Sequence, residues 1–122
     1  MDNIKNNINK IINDIRKAEI KSGRSEGSVK LLAVSKFHPV DSIIEAIKSG
    51  QKYFGENRVQ ELLSKYDDYN LNDCSLQFIG HLQSNKVRQI IDKVDLIQSV
   101  SSVKLATEIS RQAQLKNREI DI

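Results

Sequence analysis

The chain has 122 residues, of which 39% are hydrophobic and 29% charged, and its formal net charge is +3 at pH 7. This length suits one domain, and the composition is typical of folded globular proteins rather than disordered or fibrous ones. The 19 basic residues are interleaved with 16 acidic ones, and the aromatic residues are three Tyr and three Phe without Trp. A nucleic-acid partner is therefore disfavoured, because neither a basic stripe nor a stacking platform is present.

The single cysteine, Cys74, excludes an internal disulfide and a zinc site built from several cysteines. We interpret it as a thiol without a special role. No apolar run approaches the ~18 residues of a membrane span, and the amino terminus lacks the apolar core of a secretory signal. These features predict a cytoplasmic protein without a membrane partner.

The first predicted element is an amphipathic helix over residues 3–21, where isoleucines recur at helical spacing between Lys, Arg, Asp and Asn. Asp14 and Glu19 interrupt its polar face, so we expect it to pack on its own domain and not on a membrane. A loop rich in Gly and Ser over 23–28 then leads into a short apolar strand over 29–34.

Strands and helices alternate along the rest of the chain. Further strands are predicted over 52–55, 76–80, 95–100 and 119–122, and helices over 41–49, 58–66, 84–93 and 102–116. Asp41 or Ser42 is the expected cap of the helix over 41–49, and Gly50 is its expected end. This alternation favours a parallel α/β sheet, either doubly wound or part of a (β/α)8 barrel. Because the sequence ends inside a predicted strand, we expect an incomplete sheet whose edges favour self-association.

Ligands of both architectures bind where the strands end at their carboxyl side, so the residues that leave each strand are the informative ones. At the first such exit, Lys36 directly follows an apolar strand. Desolvation of a lysine favours the neutral amine, which attacks aldehydes, and Lys36 is therefore the best candidate nucleophile. Its position alone is equally compatible with an ordinary surface lysine.

The second exit contains Gly55, Glu56 and Asn57, which offer close backbone approach, an acceptor and an amide. A structural alternative is that Asn57 caps the next helix and Glu56 is a carboxylate in its first turn.

The third exit contains Gly80 and His81, followed by Ser84, Asn85 and Lys86. His81 is suited to proton transfer or to stacking beside a ring, although an isolated histidine is more often a structural hydrogen-bonding residue. Ser84 is a candidate helix cap, and together with Asn85 and Lys86 it is equally compatible with an anion site at the helix start.

The fourth exit, over residues 98–102, supplies hydroxyl groups that we interpret as helix caps. The chain contains no glycine-rich phosphate loop and no His, Asp and Glu cluster with metal-ligand spacing. Nucleotide and metal chemistry are therefore disfavoured, and no metal ligand is predicted.

Three motifs follow the predicted strands, in the order L-L-A-V-S-K-F-H-P, F-G-E-N-R-V-Q-E and F-I-G-H-L-Q-S-N-K. In this order and spacing they resemble the pyridoxal phosphate homeostasis protein family, and the resemblance covers essentially the whole chain. It implies a single-domain barrel similar to the amino-terminal domain of alanine racemase. It also implies that pyridoxal 5′-phosphate (PLP) is held as a Schiff base on Lys36, with Asn57, His81 and Asn85 near the cofactor.

The resemblance further implies a role in intracellular vitamin B6 balance, with no robust catalysis and no catalytic residue. Proteins of this kind lack the second domain that brings another acid or base to the cofactor of a racemase. We interpret residues 1–122 as a truncated PLP-binding barrel domain, with a leading helix and loop over 1–28 and βα units over 29–122.

Length is the main departure from the resemblance, since a (β/α)8 barrel typically needs ~250 residues and the phosphate commonly binds after strands seven and eight. We therefore expect weak or no PLP retention by this chain. Two other classes stay open: an active lysine-dependent enzyme, such as an amino-acid racemase or aldolase with Lys36 and His81 as its reactive groups, and a binding module in which Lys36 does no chemistry.

Overall fold

The computed structural model of the chain describes residues 3–36, 38–69 and 72–122. The helices are α1 (Ile4–Lys21), α2 (Val40–Lys48), α3 (Val59–Lys65), α4 (Val87–Ile90) and α5 (Val103–Leu115), and the strands are β1 (Leu32–Val34), β2 (Tyr53–Glu56), β3 (Ser75–Phe78) and β4 (Leu96–Ile97). A 3-10 turn follows α3 (Tyr66–Asp68), and another precedes α4 (Ser84–Lys86). Within these ranges, no helix is both long and apolar enough to cross a membrane.

The four strands form one parallel sheet in the order β1-β2-β3-β4. Val34 lies opposite Gly55, and Glu56 lies opposite Phe78. This arrangement confirms the predicted α/β class, with parallel strands that alternate with helices after a leading helix. It also brings the carboxyl ends of consecutive strands side by side, so the residues that leave these strands lie at one edge of the sheet, as predicted.

The two faces of the sheet differ because successive side chains of a strand point to opposite sides. One face is covered by helices and carries buried apolar residues, which include Phe54, Leu76, Phe78 and Ile97. The helices add their own buried residues to this core, among them Ile43, Leu62, Val87, Ile90, Leu105 and Ile109. Burying a side chain of this size contributes about 2 kcal/mol. The other face is open at Val34, which is 42% exposed.

The amino-terminal region differs from the prediction at Glu19. This residue is only 1% exposed and does not lie on the polar face of α1. Its carboxylate accepts hydrogen bonds from the backbone N–H of Val29 at 2.8 Å and of Gly27 at 3.2 Å, and Arg16 Nη1 lies 2.8 Å away. Since the N–H of Val29 is bound to Glu19, residue 29 does not start a strand, and β1 begins only at Leu32.

Other predicted elements are shorter than expected. The helix predicted over 84–93 is a 3-10 turn followed by the four residues of α4. The strand predicted over 95–100 is limited to the two residues of β4. At the predicted fifth strand, Asp121 forms a single parallel bridge to Leu96.

Helix ends were predicted in part. Ser102 caps α5 by accepting a hydrogen bond from the N–H of Leu105 at 3.0 Å, which confirms the interpretation of the fourth exit for this residue. Gly50 follows α2 with a φ of +95°, as its role at a helix end requires. The predicted cap of α2 was wrong, because α2 begins directly after Pro39 and has no side-chain cap. Pro39 instead sets the backbone angle for the helix start.

Candidate functional site

Lys36 lies just beyond the carboxyl end of β1, and its side chain is exposed. Lys36 is a turn residue, and near it the N–H of His38 donates to the carbonyl oxygen of Ser35 at 3.0 Å. Phe37, which belongs to the same predicted exit, lies outside the described residues. The structure therefore presents the Lys36 amine to solvent at the edge of the sheet where ligands of parallel α/β folds bind.

A buried polar cluster lies directly beside this turn, and we call it the Glu56 cluster after its central residue. Ser35 Oγ donates to Glu56 Oε1 in a short hydrogen bond, and Tyr69 OH donates to the same oxygen at 2.5 Å. Ser35 Oγ and Tyr69 OH are 2.6 Å apart. Burial and the hydrogen bond to Glu56 raise the pKa of the Tyr69 phenol above its ordinary value.

Glu56 was predicted as an acceptor or, alternatively, as a carboxylate in the first turn of the next helix. It does accept hydrogen bonds, but from Ser35 and Tyr69 in the interior, and the helix-turn alternative is wrong. It is the last residue of β2 and is fully buried. Its position in the strand places it on the face that carries Phe54, toward the helices. Ser35 and Tyr69 were not identified from the sequence. Tyr69 follows a 3-10 turn, where neither helical nor strand periodicity marks a residue as buried.

Asn57 and Gly80 join the second and third strand exits. A Cβ atom at Gly80 would lie 2.0 Å from the backbone oxygen of Asn57, so only glycine permits this contact. The predicted capping role of Asn57 was wrong, since Arg58 occupies the cap position of α3 and no side chain caps that helix. The Oδ1 atom of Asn57 is buried and has no hydrogen-bond partner among the described residues.

A cleft of about 520 Å³ opens between the second and third exits. It is lined by Asn57 and His81, together with Arg58 and Lys86. The His81 side chain is exposed. Two of the four sequence-predicted site residues, Asn57 and His81, therefore share one cleft.

Asn85 lies elsewhere, in a neighbouring cleft of about 390 Å³ that it shares with Arg88 and Arg111. Lys86 borders both clefts, whereas Lys36 lines neither of them. The predicted capping role of Ser84 was wrong. Ser84 is the first residue of the 3-10 turn before α4, and Gln83 occupies the cap position of that turn. The sequence-predicted residues thus lie along one edge of the sheet but do not converge in a single cavity.

The fourth exit contains a hydroxyl group, that of Ser99, for which the predicted role as a helix cap was wrong. Ser99 Oγ follows β4 and is buried without a hydrogen-bond partner in the described part of the chain. A buried hydroxyl group without a partner is costly, so it marks a position where a further donor or acceptor would be favourable. Cys74, in contrast, is a half-buried free thiol whose pKa is raised by burial, which disfavours the reactive thiolate.

No protein-family model matches the chain. The chain is, however, 42% identical over 116 residues to the pyridoxal phosphate homeostasis protein of Vibrio cholerae, in a match that covers 92% of this chain and 49% of that protein. It is 41% identical over 115 residues to the pyridoxal phosphate homeostasis protein of Aquifex aeolicus, covering 94% and 50%. The chain therefore spans about half the length of the curated relatives it matches.

Solved structures show the same half-length similarity. The crystal structure of an unknown protein from Bifidobacterium adolescentis superposes with a TM-score of 0.87 at 33% identity, covering 96% of this chain and 52% of that one. PipY of Synechococcus elongatus PCC7942, in a structure with PLP bound, superposes with a TM-score of 0.73 at 42% identity, covering 86% and 50%. The fold of the present chain is therefore shared with about half of each larger structure.

Proposed function

Because the chain belongs to the pyridoxal phosphate homeostasis protein family, we propose that it carries the lysine-bearing part of a site that holds PLP for intracellular vitamin B6 balance. One observation carries the proposal: Lys36 is exposed at the carboxyl end of a parallel strand, and the next two exits carry Asn57 and His81. Ligands of α/β sheets of this kind bind at that edge. PLP bound to PipY, a relative of similar fold, supports the same assignment.

The residues at this edge fit the cofactor in their chemistry. When bound, PLP supplies an aldehyde that bonds reversibly to a primary amine. Lys36 Nζ is the amine that we assign to this bond. Asn57 contributes a buried acceptor atom that lacks a donor among the described residues, and His81 lies in the same cleft as Asn57. Asn85 is the most peripheral of the four assigned residues, because it lines the neighbouring cleft.

The proposed role is that of a carrier without robust turnover. Holding an aldehyde requires one amine, whereas racemisation requires an acid and a base that are positioned on the substrate carbon. Relatives of the chain are named for homeostasis and not for an enzymatic reaction, which supports this proposal. A cytoplasmic location remains a prediction from the composition.

Reductive trapping tests the assignment of Lys36. The chain is incubated with PLP, reduced with borohydride and digested, and the modified lysines are then mapped by mass spectrometry. We expect modification to concentrate at Lys36, to disappear in Lys36→Ala, and to persist in the control Lys48→Ala, which removes an exposed lysine from α2. Because each reduction step is irreversible, trapping also detects a cofactor that is held weakly. Equal modification of Lys36 and the other exposed lysines would contradict the assignment.

Substrate exchange tests the absence of turnover. We expect the chain with PLP to exchange the α-proton of alanine no faster than free PLP does, because Lys36 has no positioned acid or base partner assigned to it. The measurement is deuterium incorporation followed by nuclear magnetic resonance, with free PLP as the reference. Exchange that exceeds this reference and disappears in Lys36→Ala would favour the racemase alternative.

A further inference from the structure

We propose that the Glu56 cluster, together with Lys65, positions Lys36 for its bond to the cofactor. This inference rests on the proposed function, since it explains how the chain prepares the amine that the function requires. Glu56, Tyr69 and Lys65 act through Ser35, the residue that immediately precedes Lys36. They are therefore positioning residues and not groups that touch the cofactor.

The side chain of Ser35 is held from the interior of the protein. Ser35 is 6% exposed, and its hydroxyl contacts both Glu56 Oε1 and Tyr69 OH. Tyr69 is itself fixed by its hydrogen bond to Glu56 and by an edge contact with the Phe54 ring, whose centroid lies 5.5 Å away. The hydroxyl thus ties the end of β1 to both β2 and the segment after α3.

The main chain of Ser35 is held as well. Its carbonyl oxygen accepts hydrogen bonds from Lys65 Nζ at 3.0 Å and from the N–H of His38 at 3.0 Å. The second of these bonds closes the turn that contains Lys36. Lys65 is in turn oriented by Glu61, whose Oε1 lies 3.6 Å from the Lys65 ammonium. Hydrogen bonds to both the side chain and the backbone of Ser35 therefore hold the turn in place at its first residue.

Packing of the core alone does not require a buried glutamate at position 56. A carboxylate is rarely buried on the core face of a strand, because its desolvation is costly and an apolar residue would fill the same space. Glu56 Oε2 has no hydrogen-bond partner in the described part of the chain, so the cluster does not recover the full cost of burial. A rigid support beneath a flexible lysine reduces the entropy that is lost when its amine binds a ligand.

The burial of neighbouring residues shows how the support leaves the amine free. Ser35 is 6% exposed and its hydroxyl contacts Glu56 in the core. Lys36, the next residue, lies in the turn beyond β1 and is exposed. Anchoring Ser35 in the core therefore fixes the turn while the Lys36 side chain stays exposed.

The test compares the rate of reductive PLP trapping at Lys36 with the rate at Lys48 in the same molecules. Tyr69→Phe removes one hydroxyl from the cluster, and Lys65→Met removes the donor to the Ser35 carbonyl without altering the buried cluster. Tyr66→Phe is the matched control, because it removes a tyrosine hydroxyl from the same segment. We expect the ratio of Lys36 to Lys48 trapping to fall about fivefold in both variants, the factor that corresponds to one ordinary hydrogen bond. The ratio should be unchanged in Tyr66→Phe.

Circular dichroism and thermal unfolding establish that each variant is folded before its trapping rate is compared. If Tyr69→Phe does not fold, the trapping ratio of Lys65→Met alone tests the positioning role. Wild-type trapping ratios in the folded variants would overturn the positioning role while leaving the assignment of Lys36 intact. A wild-type protein that shows no preference for Lys36 over Lys48 would instead overturn the proposed function, and with it this inference. The two failures are therefore distinguishable.

Discussion

At the scale of single residues, Glu19 shows how one buried carboxylate organises a loop. It joins the end of α1 to the start of the first βα unit by accepting hydrogen bonds from Gly27 and Val29. The backbone hydrogen bond from Val29 is the largest of the effects that lower the pKa of Glu19 from 4.5 to about 2, and Arg16 acts in the same direction. The charged form of Glu19 is therefore the one that stabilises the native state.

The lowered pKa predicts a specific dependence of stability on pH. Because the folded pKa is below the unfolded value, Glu19 contributes stability above about pH 4.5 and loses that contribution as the pH falls toward about 2. We expect Glu19→Gln to lower the free energy of unfolding near neutral pH and to narrow its difference from wild type over this acidic range. Urea unfolding at several pH values measures both effects. Glu45→Gln, which changes an exposed carboxylate in α2, should follow the wild-type curve across the range.

Gly80 illustrates a residue whose role is purely steric. Gly80→Ala would place a methyl group against the Asn57 backbone at 2.0 Å, and backbone atoms cannot move aside cheaply. We expect a loss of about 2 kcal/mol in the free energy of unfolding. Gly55→Ala is the matched comparison, because its new methyl group would meet the Leu32 and Ile79 side chains at 3.0 and 3.1 Å. Urea unfolding should show a smaller loss for Gly55→Ala, and an equal or larger one would contradict the steric argument.

At the scale of elements, the helix caps give a direct test of local stability. Ser102→Ala removes the acceptor for the N–H of Leu105 and should lower the free energy of unfolding by about 1 kcal/mol. Ser101→Ala serves as the control, since Ser101 is exposed and precedes the cap position. We expect its effect to stay within about 0.5 kcal/mol. Similar losses for both variants in urea unfolding would show that the cap hydrogen bond is not responsible.

Periodicity predicted the longer helices well and the short elements poorly. The helices over 3–21 and 102–116 match α1 and α5 closely, because both have a long apolar stripe that packs on the core. The start of β1 and the extent of α4 were missed. Residue 29 is diverted from the sheet by Glu19, a partner ten residues earlier, and no local pattern reveals such a contact.

Site prediction from the sequence was limited in the same way. The strand-exit pattern placed Lys36, Asn57 and His81 along one edge of the sheet, because the carboxyl ends of parallel strands share an edge by geometry. It did not find Tyr69, which reaches Glu56 from a segment without periodicity. It also misjudged Glu56, because a carboxylate near the end of a strand is usually solvated. Buried polar contacts between distant segments are the part of a site that local patterns do not encode.

At the scale of the whole molecule, the sheet has an accessible edge and an open face. Within the described residues, β1 pairs only with β2, so its other side offers unpaired backbone groups. Val34 on this strand is 42% exposed. Exposed strand edges that carry apolar residues favour pairing with another chain. The proposal that follows is self-association of the chain through β1, with a second copy as the partner.

Two valine substitutions separate edge pairing from general surface hydrophobicity. We expect sedimentation velocity at high protein concentration to show association of the wild-type chain and a weaker association of Val34→Asp, because a charge on an edge strand opposes pairing. Val103→Asp is the control, since Val103 on α5 is 83% exposed and would have the larger effect if exposed apolar area alone drove association. A wild-type chain that stays monomeric would contradict self-association, and equal effects of the two substitutions would contradict the role of β1.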